Sequence, residues 1–294
     1  MITRLVEYTK HRKYYQTTIP NPIYQLDGKQ YQKQLNQKEL TMTEEERYLF
    51  DVRGYMVLNQ VLNEKELATL NATFDENQMQ SENPNAGRAR YLDLISWGKT
   101  YRDLIDHPAL VPYLEKILGE DFRLDHDYAE HMIEGGAGEL HFNGTPYSTM
   151  YHYNVQDDKI HCGLVSVAWA LKDVPFGAGG FCCVPGSHKS SFPSPSSITC
   201  VGQPSACVEQ ISCSAGSVVI FTEALRHGTL AWTAPAQRRT LFYKYSPRYV
   251  SWWGTYYDPK AYDYTESQQK ILRAPYISRP SNQQTEKGYI ISPS

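Results

Sequence analysis

The sequence predicts a mainly β domain, an all-β barrel or sandwich with helices packed on its outside. Three observations carry the prediction. Apolar residues recur with a helical period in the front part of the chain and with period two from about residue 122 onward. The period-two runs are separated by clusters of Gly, Pro, Ser and Asp, and short helices ahead of many strands suit a rolled or stacked sheet. Finally, 294 residues at 41% hydrophobic and 21% charged can bury one large core.

The elements follow in order. Residues 1–40 are polar and rich in Gln, Lys and Tyr, and form an N-terminal arm ahead of a single domain over 41–294. Thr43-Glu44-Glu45-Glu46 has capping-box spacing and starts a helix over 43–50. Gly54-Tyr55-Met56-Val57-Leu58 reads as a strand. Asn63 with Glu66 repeats the cap signal before a helix over 64–78, which has Leu67, Leu70 and Phe74 on one face. A third helix is expected over 108–118, with Pro108 in its first turn and Leu110, Leu114, Ile117 and Leu118 on one stripe. Strands are expected at 122–133, 138–143, 161–173, 179–184, 208–213, 216–222 and 238–246, and 151–158 reads as a loop, as does the Ser/Pro stretch 190–197. Residues 250–294 carry Trp252, Trp253, Tyr256, Tyr257, Tyr262 and Tyr264, too aromatic for a disordered tail; they are expected to pack on the barrel or cover its mouth.

A net charge of −3 provides no field for nucleic acid or acidic membranes. No apolar run approaches the ~20 residues of a membrane span, and MITRLVEYTKHRKYYQ lacks the apolar centre of a secretion signal. A cytoplasmic location is expected, with a small molecule as partner; nothing in the sequence sets the oligomeric state. Six cysteines (Cys162, Cys182, Cys183, Cys200, Cys207, Cys213) contain no CxxC pair, so free thiols are expected. Cys182 and Cys183 should face opposite sides of a strand. Many of the 23 tyrosines suit the mouth of a pocket, with an apolar body and a wet tip.

The chemistry is concentrated in His227-Gly228-Thr229, followed eleven positions after the histidine by Arg238-Arg239-Thr240-Leu241-Phe242-Tyr243. An imidazole suits Fe(II), and a guanidinium grips a carboxylate with two parallel hydrogen bonds. Arg238 and Thr240 share a strand face and could meet one carboxylate, whereas Arg239 points away and suits an ion pair. In one pocket these groups would hold an iron-bound 2-oxo acid. Tyr128, Glu130 and His126 share a face of an earlier strand, where one of them could touch the same acid. Trp169 suits the core, Trp232 either the core or a substrate pocket, and Arg226 and Arg248 either the surface or a carboxylated substrate.

Over about residues 43–279 the pattern resembles the phytanoyl-CoA dioxygenase family of Fe(II)/2-oxoglutarate enzymes. The matching pieces are Arg53-Gly54-Tyr55-Met56-Val57-Leu58, His107-Pro108-Ala109-Leu110, Trp169-Ala170-Leu171-Lys172-Asp173-Val174, Gly179-Gly180-Phe181 and Val184-Pro185-Gly186-Ser187-His188-Lys189, then the motif around His227 and Arg238. The resemblance implies a double-stranded β-helix (jelly roll, cupin-like) core, Fe(II), 2-oxoglutarate, and release of succinate and carbon dioxide. It gives His141, His227 and Arg238 catalytic positions, Arg238, Thr240, Thr229 and Tyr128 to the co-substrate, and His188 a structural role.

The family's His-x-Asp falls on His141-Phe142-Asn143, where an amide replaces the carboxylate. Asn143 could bind the metal weakly or leave a position open, or Glu139, Asp157 or Asp158 could supply a carboxylate; alternatively His152, in His152-Tyr153-Asn154, is the first ligand. Iron/2-oxoglutarate halogenases resemble this arrangement in having a small non-carboxylate residue there, with chloride in the vacated site, although Asn is larger than their usual Ala or Gly. Three readings follow: an oxygenase carrying out hydroxylation, desaturation or oxidative cyclisation, a halogenase, or a jelly-roll binding protein without catalysis.

Overall fold

In the computed structural model, residues 41–80, 87–142, 147–200, 205–254 and 256–276 are described; the expected arm over 1–40 lies outside them. Capping sets where the first helices begin. The Thr43 hydroxyl accepts from the Glu46 N–H while the Glu46 carboxylate accepts from the Thr43 N–H, opening α1 (Glu44–Arg53). Asn63 and Glu66 do the same for α2 (Glu64–Met79). Helix α3 (Val111–Leu118) begins three residues later than Pro108 predicts, because His107–Leu110 forms a separate turn and Pro112 occupies the first helical turn. A short α4 (Glu266–Ile271) follows the strands.

The strands are β1 (Tyr55–Leu58), β2 (Arg88–Leu92), β3 (Phe122–Met132), β4 (Gly138–His141), β5 (Tyr153–Gln156), β6 (Lys159–Cys162), β7 (Val165–Ala170), β8 (Gly180–Cys183), β9 (Glu209–Gln210), β10 (Val218–Thr222), β11 (His227–Leu230) and β12 (Arg238–Pro247). They form a six-stranded sheet in the order β1-β10-β7-β12-β3-β2, a four-stranded sheet β4-β11-β8-β9, and the hairpin β5-β6. All pairings among them are antiparallel. The two larger sheets enclose an interior, which makes the fold the expected jelly roll.

Alternation decides what each strand contributes. On β12, Leu241, Tyr243 and Tyr245 join the apolar layer built with α1, α2 and α3. Phe242 instead meets Tyr128, Val219, Phe221 and Phe181 between the sheets. The inward row of β12 is therefore Arg238, Thr240, Phe242 and Lys244.

Several expectations need correction. The strand predicted over 161–173 is two strands, broken at Gly163, where a Cβ would lie 2.3 Å from the Met150 carbonyl oxygen. The segment 151–158 is not a loop throughout: β5 occupies half of it, and Asp157 and Asp158 turn the hairpin with φ of 51° and 57°. The strand predicted over 208–213 shrinks to two residues plus a bridge from Cys213 to Val174. Strand β2 escaped prediction because its charged edge alternates Arg88, Arg90 and Leu92 on the exposed side. The expectation of six free thiols fails too. Cys182 and Cys200 form a disulfide that ties the 190–200 loop onto β8, and the other four cysteines are free. Cys182 and Cys183 do lie in separate clusters on opposite faces of β8. Among the described residues no helix is long and apolar enough to cross a membrane.

Candidate active site

Register brings the histidines together. His141 ends β4 directly opposite His227 at the start of β11, and their ring centroids lie 4.4 Å apart. Gly228 makes this possible, since a Cβ there would lie 2.7 Å from the Glu139 carbonyl oxygen. Both rings are anchored alike. His227 Nδ1 lies 2.7 Å from the Leu225 carbonyl oxygen and His141 Nδ1 lies 3.0 Å from that of Glu139. A carbonyl only accepts, so each Nδ1 carries the proton and each Nε2 keeps a lone pair, the state required of a metal ligand. Burial pushes His227 down to about 3, against the pull of Glu223, and burial lowers His141 as well. Both imidazoles are therefore neutral at physiological pH.

Sequence reasoning missed Glu223. It continues the inward alternation of Val219 and Phe221 beyond the end of β10 and is fully buried. Its Oε1 accepts from Lys244 Nζ at 2.8 Å and from the Ser166 hydroxyl, while Oε2 lies 3.7 Å from His227 Nε2. Burial alone would raise this carboxyl, but Lys244 and its other neighbours bring it to about 2. The available sequence signal was a charged residue following an apolar strand on its inward parity, four positions before His227.

Arg238 lies deeper, at the far end of the inward row. Its Nη1 is 3.8 Å from Glu130 Oε1, but Glu130 is already held by Arg88 Nε at 2.9 Å, with Arg90 3.6 Å away. Three guanidiniums thus share one carboxylate. Arg238 Nε is buried without a hydrogen-bond partner. That surplus of buried donors suits an incoming carboxylate. Thr240 shares the row and is buried, and Thr229 lies on the facing sheet opposite Gly138 and Phe181. Tyr128 stacks on Phe242 at 4.8 Å beneath the Arg90 guanidinium.

A cavity of about 530 Å³ opens over His141, Phe142, Glu223, Lys244 and Tyr128. Trp252, Trp253, Tyr256 and Tyr257 form much of its wall. Asp125 holds this segment in place by accepting from the Trp252 and Trp253 N–H groups. His126 stacks on Trp253 at 5.1 Å. Burial pushes the Asp127 carboxyl up to about 6, although Tyr257 and the Leu94 N–H donate to it.

The remaining candidates lie elsewhere. Asn143 falls outside the described residues. His152 has Nδ1 on the Thr149 carbonyl and its ring against Tyr147, and does not line the cavity. Asp158 pairs with Arg47 at 3.1 Å, and Asp157 sits in the same hairpin turn, so neither reaches the histidines. The exposed Glu139 offers them only its carbonyl. Trp232 is core, donating to the Ala236 carbonyl, and Trp169 is core as expected. Arg226 donates to the Phe142 carbonyl, and Arg248 lies beside Asp121. His188 Nε2 bonds the Asp51 carbonyl, and Arg239 pairs with Asp75.

A jelly roll carrying two lone-pair histidines and a buried guanidinium between its sheets suits a metal-dependent oxidative enzyme that uses a 2-oxo acid. The phytanoyl-CoA dioxygenase family profile matches residues 50–240, and the chain belongs to that family. It is an Fe(II)/2-oxoglutarate-dependent enzyme. No curated protein matches its sequence. Among solved structures, HygX from Streptomyces hygroscopicus with nickel and 2-oxoglutarate bound is similar, with a TM-score of 0.68 and 21% identity over 72% of this chain and 90% of that chain. The epimerase SnoN with Fe3+, alpha ketoglutarate and nogalamycin RO gives 0.55 and 18% over 79% and 94%. The carbocyclase SnoK from nogalamycin biosynthesis gives 0.52 and 17% over 70% and 84%. At these identities the likeness is one of fold.

Proposed function

We propose that the enzyme oxidises an unactivated C–H bond of a ring-bearing small molecule by hydroxylation, desaturation or oxidative cyclisation, releasing succinate and carbon dioxide. The observation that carries this reading is the facing pair of Nε2 lone pairs, with His141 lining the cavity, together with a buried guanidinium whose Nε has no hydrogen-bond partner. His141 and His227 would hold Fe(II) through Nε2. Arg238, with the Thr240 hydroxyl, would take the distal carboxylate of 2-oxoglutarate, while Thr229 and Tyr128 flank its path. Among the described residues no group of three or more His, Cys, Asp and Glu side chains already stands ready to hold a metal; the two histidines are a partial set.

When bound, iron and 2-oxoglutarate supply the oxidising power that removes hydrogen from carbon. The chain's own residues position and shield. The Leu225 and Glu139 carbonyls fix both imidazole tautomers. The Tyr128–Phe242 stack and Phe221 keep the interior apolar around the buried charges. Trp252, Trp253, Tyr256 and Tyr257 offer flat faces to a ring, with Asp93 at hand for hydroxyl or ammonium donors. Structures of HygX and SnoN hold hygromycin B and nogalamycin RO, which supports a bulky small-molecule substrate here.

Succinate release and oxygen uptake with Fe(II), 2-oxoglutarate and a panel of ring compounds test the proposal. Arg238→Ala is expected to weaken 2-oxoglutarate binding by about 2 kcal/mol or more, roughly 30-fold in KM. Absence of iron binding at micromolar concentration, or turnover indifferent to 2-oxoglutarate, would overturn it.

A further inference from the structure

The residue at 143 cannot donate a carboxylate, yet a buried one with only one oxygen taken stands beside His227. We infer that Glu223, just beyond the end of β10 and four residues before His227, is the carboxylate ligand that completes the metal site. The inference rests on the oxygenase reading and assigns the position that reading leaves open.

Its two oxygens are used unequally. Oε1 is saturated by Lys244 Nζ at 2.8 Å and by the Ser166 hydroxyl. Oε2 is buried with no hydrogen-bond partner and lies 3.7 Å from His227 Nε2. With the His227 proton held on Nδ1 by the Leu225 carbonyl, that Nε2 presents a lone pair. Two electron-pair donors therefore face each other beside the cavity, an arrangement that a cation between them would satisfy. Neighbouring ligands at about 2.1 Å from a metal lie about 3 Å apart, so a shift of under an ångström brings Oε2 to ligand spacing from His227 Nε2 while Oε1 stays on Lys244. A ligating carboxylate steadied by hydrogen bonds on its other oxygen is the usual outer-shell arrangement.

The alternative role for Glu223 is to neutralise Lys244 alone. The two roles predict different behaviour of a double variant. A halide, moreover, has no vacated position to fill if Glu223 occupies it.

The test is anaerobic titration of the full chain with Co(II), followed by visible absorption and calorimetry. Glu223→Gln should weaken Co(II) binding by more than about tenfold and alter its ligand-field bands. Asn143→Ala should leave the affinity within about threefold on the same criterion. The pair Glu223→Gln with Lys244→Met removes both buried charges, and therefore stays folded even where the single variant is compromised. If Glu223 is a ligand, the double variant remains weak; if Glu223 only balances Lys244, affinity returns and the inference fails. Wild-type affinity in Glu223→Gln, or the loss appearing in Asn143→Ala instead, overturns it equally. Failure of the wild-type chain to bind Co(II) or Fe(II) removes the oxygenase reading, and this assignment with it.

Discussion

The two faces of the six-stranded sheet are made by the same strands and could hardly differ more. The outer face is mostly apolar: Val165, Val167, Trp169, Leu241, Tyr243 and Tyr245 pack beneath helices, the Tyr243 and Tyr245 hydroxyls donate to backbone carbonyls, and Arg239 pairs with Asp75. The inner face has one small apolar cluster, with Arg238, Glu130, Glu223 and Lys244 buried around it and His227 facing it from the other sheet. Burying ions disfavours folding unless they are paired. The outer face therefore supplies stability, while the inner face places partly matched charges where chemistry can use them.

Changes on the outer face should cost stability and spare metal binding. The largest effect is expected for Trp169→Ala, which empties a fully buried site and should lower unfolding free energy by about 3–5 kcal/mol. Denaturant titration would show the loss, with Co(II) affinity of the folded fraction unchanged. A fall in that affinity would mean the two faces are coupled.

A pH experiment sharpens the comparison at a buried histidine outside the site. Burial depresses His188 to about 4, against the Asp51 carbonyl. Its unfolded value near 6.5 means that the unfolded chain takes up a proton first as pH falls. Stability is therefore full above pH 6.5 and is lost as pH drops toward 4. His188→Gln should flatten that slope by up to roughly 3 kcal/mol, measured as unfolding free energy against pH.

In the facing four-stranded sheet, Gly228→Ala forces β11 and β4 apart beside the two histidines. Overpacking of this kind costs about 1–3 kcal/mol, and Co(II) affinity should fall disproportionately. Equal affinity would show that the histidine pair tolerates strand separation. The smallest effect is Tyr243→Phe, which leaves the Tyr101 carbonyl without its 2.7 Å donor. A loss of about 1 kcal/mol is expected in thermal unfolding, with turnover unaltered.

The parts legible in the sequence are local. The caps at Thr43 and Asn63 need only residues three apart. The inward row of Arg238 and Thr240, like the divergence of Cys182 and Cys183, follows from two-residue alternation. Less legible were elements defined by a partner. Strand β5 exists because β6 pairs with it, and β2 because β3 offers an edge to a chain of arginines.

The sequence by itself determined the rolled β class, the outward and inward parity of its strands, and the spacing of His227 to Arg238, because each depends on neighbours a few residues away. Only the tertiary structure decided that His141 faces His227 across a strand pair, that Cys200 returns to Cys182, that the aromatic segment after residue 250 walls the cavity, and that Glu223 turns a free carboxylate oxygen toward the histidines. Those are matters of register and of burial between sheets. Both are set by how distant segments exclude water together, which no window of adjacent residues contains.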